Sequence, residues 1–228
     1  MPGSRHVLDN AVWHAISGPQ SHLAERLERA GRYLTDVSPF SAVADARDPS
    51  SWSDLARLVG AGKAFLFAPS VEVGEGWKRE HAIPCLQMVA GDTPEPSRRL
   101  DLVALGPADI PEMTALVEET RPGPFLPRTV EMGRYLGHRV DGRLVAMAGE
   151  RIRCPGYTEV SAVCTHPEHR GRGLGRELTL AVVANIRSRG EEAFLHVVTE
   201  NATAIRLYEA IGFRVRCEAE VAIVGGPS

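Results

Sequence analysis

The chain of 228 residues is short of several things, and each shortage closes off a class of protein. Lysine is nearly missing: Lys63 and Lys78 are the only two among 26 basic residues. Against 29 acids the net charge is -3, with 10 bases and 12 acids up to residue 98 and 16 against 17 beyond it. Neither part has the basic excess that a phosphate-backbone binder needs, so nucleic acid is not expected as a partner. No apolar run approaches the roughly 18 residues of a membrane span, so no membrane is expected either. Asp9 and Asn10 stand where a secretory leader would place its apolar stretch, so no leader is expected. The four cysteines, Cys85, Cys154, Cys164 and Cys217, make no CxxC pair and no framework spacing. A reducing cytosol, and hence a cytoplasmic protein, is the natural expectation. What remains, at 43% hydrophobic and 24% charged, is an ordinary globular composition for one large domain or two small ones.

The clearest break is the segment from Gly91 to Arg99, rich in proline and charge and without apolar periodicity. It divides the chain into an N-terminal α/β region, 1–98, and a second region, 99–228. Before the break, Leu23, Leu27, Ala30 and Leu34 recur at helical spacing after Ser21 and predict a helix there. A second short helix is expected after Ser51 or Ser53, with strands at 63–68 and 85–90. After it, the punctuation sharpens. A strand at 100–105 leads into a helix opened by Asp109. Asp141-Gly142 is a two-residue hairpin signal between strands 135–140 and 144–152. A strand at 157–165, a helix at 173–188, a strand at 193–198, a helix at 202–211 and a strand at 213–224 follow. This order predicts a mixed α/β fold with a central sheet.

The chemistry concentrates at one strand–helix junction. The run Val163-Cys164-Thr165-His-Pro-Glu-His-Arg170-Gly171-Arg172-Gly173-Leu174-Gly175 passes from strand through a glycine-rich turn into a helix. Alternate glycines let backbone approach a ligand, and the unpaired N–H groups at a helix start favour an anion such as phosphate. A dinucleotide fingerprint fails because Arg176 stands where its third glycine belongs, and no Gly-Lys-Ser/Thr follows for a nucleotide loop. A tight turn without a ligand would explain the loop alone equally well. A second segment, Asn201 to Phe213, sets Asn201, Ala204 and Tyr208 on one helical stripe able to line a groove. The competing explanation for Tyr208 is a half-buried core residue.

Together the two segments resemble the GNAT superfamily of acyl-CoA N-acyltransferases. The loop is similar to its Arg-x-x-Gly-x-Gly signature (Arg170, Gly173, Gly175), and the second segment to its Asn-x-x-Ala-x-x-x-Tyr-x-x-x-Gly-Phe element. Phe194-Leu-His-Val, Asn201 and Leu207-Tyr208 are most similar to the glycine N-acyltransferase-like branch. The resemblance covers residues 100 to about 225 and implies the GNAT fold, with acetyl-CoA as co-substrate and an amine as acceptor.

Residue by residue, it implies that the amides of Arg170–Gly175 hold the CoA pyrophosphate, and that Val163, Cys164 and Thr165 pair with the pantetheine arm. An amide near Val163 would polarise the thioester carbonyl, Asn201 would touch the pantetheine, and Tyr208 would face the sulfur as acid. Glu159 matches the position of a catalytic glutamate in histone-type members and is the candidate base, a solvated strand carboxylate being the alternative. Glu150 is a second candidate. Cys164, His166 and His169 have metal-ligand letters, but Pro167 interrupts them and no fourth ligand is evident, so no metal is expected. His196, between apolar neighbours, is expected to be a packed histidine.

Two faint echoes, Gly18-Pro19 with Gly106-Pro107 and Leu86–Val89 with Val160–Val163, would make the first ninety residues a degenerate half-copy of the same fold; chance is the competing explanation. A non-catalytic acyl-CoA-binding module and a nucleotide-binding α/β protein remain as alternative functions. The acceptor, the acyl length and the oligomeric state have no signal in the sequence.

Overall fold

The computed structural model describes residues 6–97 and 100–226. The region boundary at residues 98 and 99 and the first five residues of the leader reading lie outside these. The strands are β1 (Ala24–Arg26), β2 (Ala30–Tyr33), β3 (Phe40–Val43), β4 (Lys63–Ala68), β5 (Lys78–Ala90), β6 (Leu102–Leu105), β7 (Tyr135–Val140), β8 (Arg143–Cys154), β9 (Tyr157–Thr165), β10 (Glu192–Val198) and β11 (Phe213–Gly225). The helices are α1 (Ala11–Ile16), α2 (Pro49–Val59), α3 (Ile110–Thr120), α4 (Leu174–Arg187) and α5 (Ala202–Ala210). All the strands join one mixed sheet in the order β1-β2-β3-β4-β11-β5-β10-β9-β8-β7-β6. This is the mixed α/β fold expected, now extended over both regions.

Parity along the strands sorts the helices onto two faces. Trp52 and Leu55 of α2 pack with Leu66 and Ala222, and Leu178 and Val182 of α4 pack with Leu195 and Met88. On the opposite face, Val12 and Ile16 of α1 pack with Phe67, Phe194 and Val221, while Met113 and Leu116 of α3 pack with Tyr135 and Cys164. Adjacent residues such as Leu66 and Phe67 therefore enter different cores, as a period of two requires.

The helix expected from Ser21 does not form. Ser21–Leu23 is a single 3-10 turn, after which Ala24, Glu25 and Arg26 pair antiparallel with Tyr33, Arg32 and Gly31. Of the four spaced residues Leu23 and Ala30 are buried and Leu27 and Leu34 only half-buried, and sheet pairing outweighs the local periodicity. Gly31 allows this packing, because a Cβ there would lie 2.6 Å from Ile16 Cδ1. Helix α2 starts earlier than expected, with Asp48 accepting from Ser50 N and Pro49 at the first position. Asp109 precedes α3, but its carboxylate turns back to Gly106 N and to Arg139.

The strand order has an internal symmetry. β5, from the N-terminal region, runs antiparallel between β10 and β11, and β11 in turn pairs with β4. A half-turn about the Cys85–Ala219 pair exchanges β5 with β11, β4 with β10 and β3 with β9. The register obeys it: Phe194 faces Val89 and His196 faces Gln87, as Phe65 faces Ile223 and Phe67 faces Val221. Phe40 beside Phe65 then corresponds to Glu159 beside Phe194. The Gly91–Ser97 connection is strapped over α4, where Arg187 donates to Gly91 O and Thr93 Oγ1, both at 2.6 Å.

Candidate active site

The glycine loop takes the form that a phosphate cradle needs. A 3-10 turn at Pro167–His169 follows β9, with His166 Nδ1 accepting from Glu168 N. Gly171 and Gly173 have φ of 74° and 77°, which a side chain strongly disfavours, and a Cβ on either would meet nothing within 4 Å. The backbone thus borders open space at the start of α4, where the N–H groups of Leu174, Gly175 and Arg176 have no carbonyl to pair with inside the helix. Arg170 Nε donates to Thr165 O and Arg172 Nη2 to Glu168 O, which sets both guanidiniums at the rim. A Cβ on Gly175 would lie 3.8 Å from Val163 Cγ1, Thr165 Oγ1 and Leu207 Cδ2. The ends of β9, α4 and α5 converge there.

Beside the loop the sheet forks. Parallel β9 and β10 pair at Tyr157–Glu192, Thr158–Ala193 and Phe194–Glu159, and then part. Just past the fork β9 is bulged: Met147 faces Cys164 and Gly149 faces Ser161, so Ala162 and Val163 stand against Ala148 alone. Ala162 holds φ at 52°, a left-handed conformation that costs an L-residue about 1–2 kcal/mol. The bulge interrupts the regular β8–β9 register at Ala162 and Val163, beside the gap.

Asn201 caps α5, its Oδ1 accepting from Ala204 N at 3.0 Å. Tyr208, on the same stripe, is 8% exposed and packs against Phe213. Burial, helped by Cys164, pushes its phenol up to about 12, so it carries its proton at neutral pH. Burial likewise pushes the Cys164 thiol up to about 11, which removes its value as a nucleophile.

Glu159 stands at the fork itself but is neither solvated nor open to substrate. It is fully buried; its oxygens accept from Arg151 Nε at 2.7 Å and Nη2 at 2.8 Å, and from His196 Nδ1 at 2.7 Å. Burial pushes its carboxyl up, but the Arg151 charge and the bonds from Arg151 and His196 outweigh that and bring it down to about 2. So weak a base, with both oxygens engaged, is poorly suited to the proton-acceptor role expected of it. Glu150 is also buried, 3.0 Å from Arg189. His196 is packed as expected, with the Phe67 ring 3.9 Å away, but it is also bonded on both nitrogens. Sequence reasoning missed Arg151 and Gln87; their signal, an arginine and a glutamine within apolar strands, is visible only once the strands are paired.

His166, Glu168 and His169 bring donor atoms within 4.8 Å of one another. His166 Nδ1 caps the loop, and its Nε2 lies 2.8 Å from Arg143 Nη2 and 3.2 Å from Glu119 Oε2. These contacts support the loop.

The symmetry-related fork between β3 and β4 is built differently. A pocket of about 360 Å³ lies there, between Ala42–Ala44 and Leu66–Pro69. Its loop, residues 44–48, has no glycine, Asp48 occupies the amide at the start of α2, and Asn10 Nδ2 donates to Val43 O at the strand edge. Phe40 and Phe67 stand where the second fork has Glu159 and His196. The N-terminal fork therefore lacks both the phosphate cradle and the polar pair.

Comparison with known proteins bears on the fold and the family. Residues 135–222 match the family model of FR47-like proteins. A solved structure from Novosphingobium aromaticivorans, assigned to the GNAT family of acetyltransferases, is 41% identical over 98% of this chain and all of that one, with a TM-score of 0.87. This chain belongs to the GNAT family. Mycothiol acetyltransferase of Thermomonospora curvata is 38% identical over 108 residues, 46% of this chain and 36% of that protein. N-alpha-acetyltransferase RimI of Mycobacterium tuberculosis is 37% identical over 83 residues, 35% of this chain and 51% of that protein. The chain thus spans between about a third and a half of these curated relatives. Among the described residues no helix is long and apolar enough to cross a membrane.

Proposed function

We propose that the protein transfers an acetyl group from acetyl-CoA to a primary amine of a small molecule or peptide by direct attack. The observation that carries this is the open glycine backbone at the start of α4, set beside a fork with a bulge at Ala162 and Val163. The amides of Arg170–Gly175 and the rim arginines Arg170 and Arg172 bind the pyrophosphate. Val163, Cys164 and Thr165 receive the pantetheine along the strand edge, with Asn201 and Ala204 on its other side. The neutral amine attacks the thioester carbonyl, and the Val163 N–H stabilises the charge that grows on its oxygen. As the C–S bond breaks, Tyr208 gives its proton to sulfur and regains one, through water, from the new ammonium. Glu159 acts as a fixed anion at the fork.

We also infer that residues 1–98 are a degenerate copy of residues 99–228, which the palindromic strand order and matching registers support. Kinship with the glycine N-acyltransferase-like branch rests on Phe194–Val197 and Leu207-Tyr208. Four free cysteines, three of them buried, fit a cytoplasmic protein.

The test is turnover with acetyl-CoA and a panel of amines, read as free thiol. In parallel, CoA at a hundredfold excess over Kd should stabilise the fold by about 2.7 kcal/mol and raise Tm, whereas NAD should not. Gly173→Asp should abolish that shift, since it places a side chain and a negative charge in the cradle. A CoA-induced shift without turnover on any amine would leave a binding module; no shift at millimolar CoA would end the reading altogether.

A further inference from the structure

We infer that Gln87 is a positioning residue for acyl transfer: from β5 it donates to His196 Nε2 and, together with Glu159 at Nδ1, holds the ring in one tautomer and one place, keeping the Glu159–His196 bridge closed across the fork. This rests on the acyltransferase reading above.

The directions of the hydrogen bonds carry the inference. Gln87 Oε1 accepts from Arg216 Nη1 at 2.6 Å, so its amide nitrogen faces the other way, to Leu8 O at 3.0 Å and His196 Nε2 at 3.0 Å. An amide N–H2 can only donate, so His196 Nε2 must present its lone pair. The imidazole proton then sits on Nδ1, 2.7 Å from Glu159 Oε1, and Arg151 donates twice to the same carboxylate. The chain runs one way, from Arg216 through Gln87 and His196 to Glu159. Arg216 is itself held by Asp9.

Position makes the bridge consequential. Backbone pairing of β9 with β10 ends at Glu159 and Phe194. His196 lies two residues further along β10, so its bond to Glu159 joins the two strands at the point where they part. It faces Gln87 directly in the β10–β5 ladder. The other charged and aromatic groups around the ring are Arg151 on β8, Arg216 on β11, Phe67 on β4 and Phe194 on β10 itself, while Cys217 reaches Gln87. With the opposite tautomer, Nδ1 would turn a lone pair toward the carboxylate, and the bridge would become a repulsion. The spread of the fork, just past which the bulge at Ala162 and Val163 lies, would lose its tie. The strand that makes that tie comes from the region with no phosphate cradle of its own, which gives that region a part in the reaction.

Two variants of the full chain test this, with ¹⁵N spectra of the imidazole as the direct readout. Wild-type His196 should show a neutral ring protonated at Nδ1 at neutral pH. In Gln87→Glu the new carboxylate accepts from Nε2, so the ring should be protonated on both nitrogens. Its kcat should fall tenfold or more, and the KM for acetyl-CoA should rise severalfold. Gln87→Leu keeps the Nδ1 proton, held by Glu159, but leaves Nε2 without a donor in a buried site, so kcat should fall by a similar factor while CoA still raises its Tm. A wild-type ring protonated at Nε2 overturns the inference, and so do kcat and KM within twofold of wild type in Gln87→Glu. Should Gln87→Leu fail to fold, the wild-type tautomer and the Gln87→Glu variant decide. If the wild type turns over no amine, the acyltransferase reading falls by itself; the spectra still test the tautomer, and the CoA-induced Tm shift still tests the fork.

Discussion

Tyr208 and Glu159 show how differently two residues on the same strand–helix scaffold can be tuned. Burial keeps the Tyr208 phenol protonated to about pH 12, which suits a donor to sulfur. A thiolate is already a fair leaving group, so the benefit of an acid should be at the low end of its range. Tyr208→Phe should lower kcat roughly a hundredfold while Tm and CoA affinity barely move. A variant that unfolds while its folded fraction keeps its turnover would mark Tyr208 as core. Glu159 was legible as a strand carboxylate next to the motif, but its role was not. The bonds from Arg151, eight residues away across a hairpin, and from His196, on another strand, turn a nominal base into a saturated anion. No local pattern reports such partners.

Among the elements, the bulge in β9 concentrates strain beside Val163, whose amide is proposed to meet the thioester oxygen. Ala162 in its left-handed conformation can be tested in both directions. Ala162→Gly should be neutral or stabilising by up to about 1 kcal/mol, since it removes the Cβ clash at some entropic cost. Ala162→Val should destabilise by about 1–3 kcal/mol, because a β-branched residue tolerates this backbone least. Urea unfolding would measure both; equal midpoints for the two variants would deny the strain. From Asp141-Gly142 to Gly212-Phe213 the elements were legible, because caps, hairpin turn and helical stripe are all local signals. In residues 1–90 only part was legible: the strand at 63–68, the end of β5 and helix α2 were, but β1, β2 and β3 were not. Strands of three or four residues carry too little alternation to outweigh an accidental helical spacing, as Leu23, Leu27, Ala30 and Leu34 show. The echo of Leu86–Val89 in Val160–Val163 pointed to the wrong pair, since the counterpart of β5 is β11 and not β9.

For the molecule as a whole, the exchange of β5 and β11 makes the two regions mutually dependent. Residues 99–228 expressed alone should fail to fold, because β10 and β11 would have lost the strand between them. Adding residues 1–97 as a second polypeptide should restore a CoA-dependent rise in Tm. A stable, CoA-binding 99–228 fragment would contradict the topology argument. Acid should also find the molecule at its interior network. His196 is held below its usual 6.5 by burial, so its contribution to stability is complete above that value and is lost as pH falls beneath it. Glu159 contributes fully above about 4.5 and loses its share as pH falls toward about 2. Tm should therefore decline in two stages, beginning near pH 6.5 and again below 4.5, and His196→Gln should erase the first. A flat Tm between pH 7 and 5 would mean that the histidine is not buried in its neutral form. The same exchange also sets an order of events at the ribosome. β4 and β5 are synthesised well before their shared neighbour, Phe213–Gly225. Until that segment is made, the nascent chain carries two open strand edges facing a vacant lane. Loss of those 13 residues should therefore harm solubility more than their number implies, because exposed strand edges invite pairing with other chains.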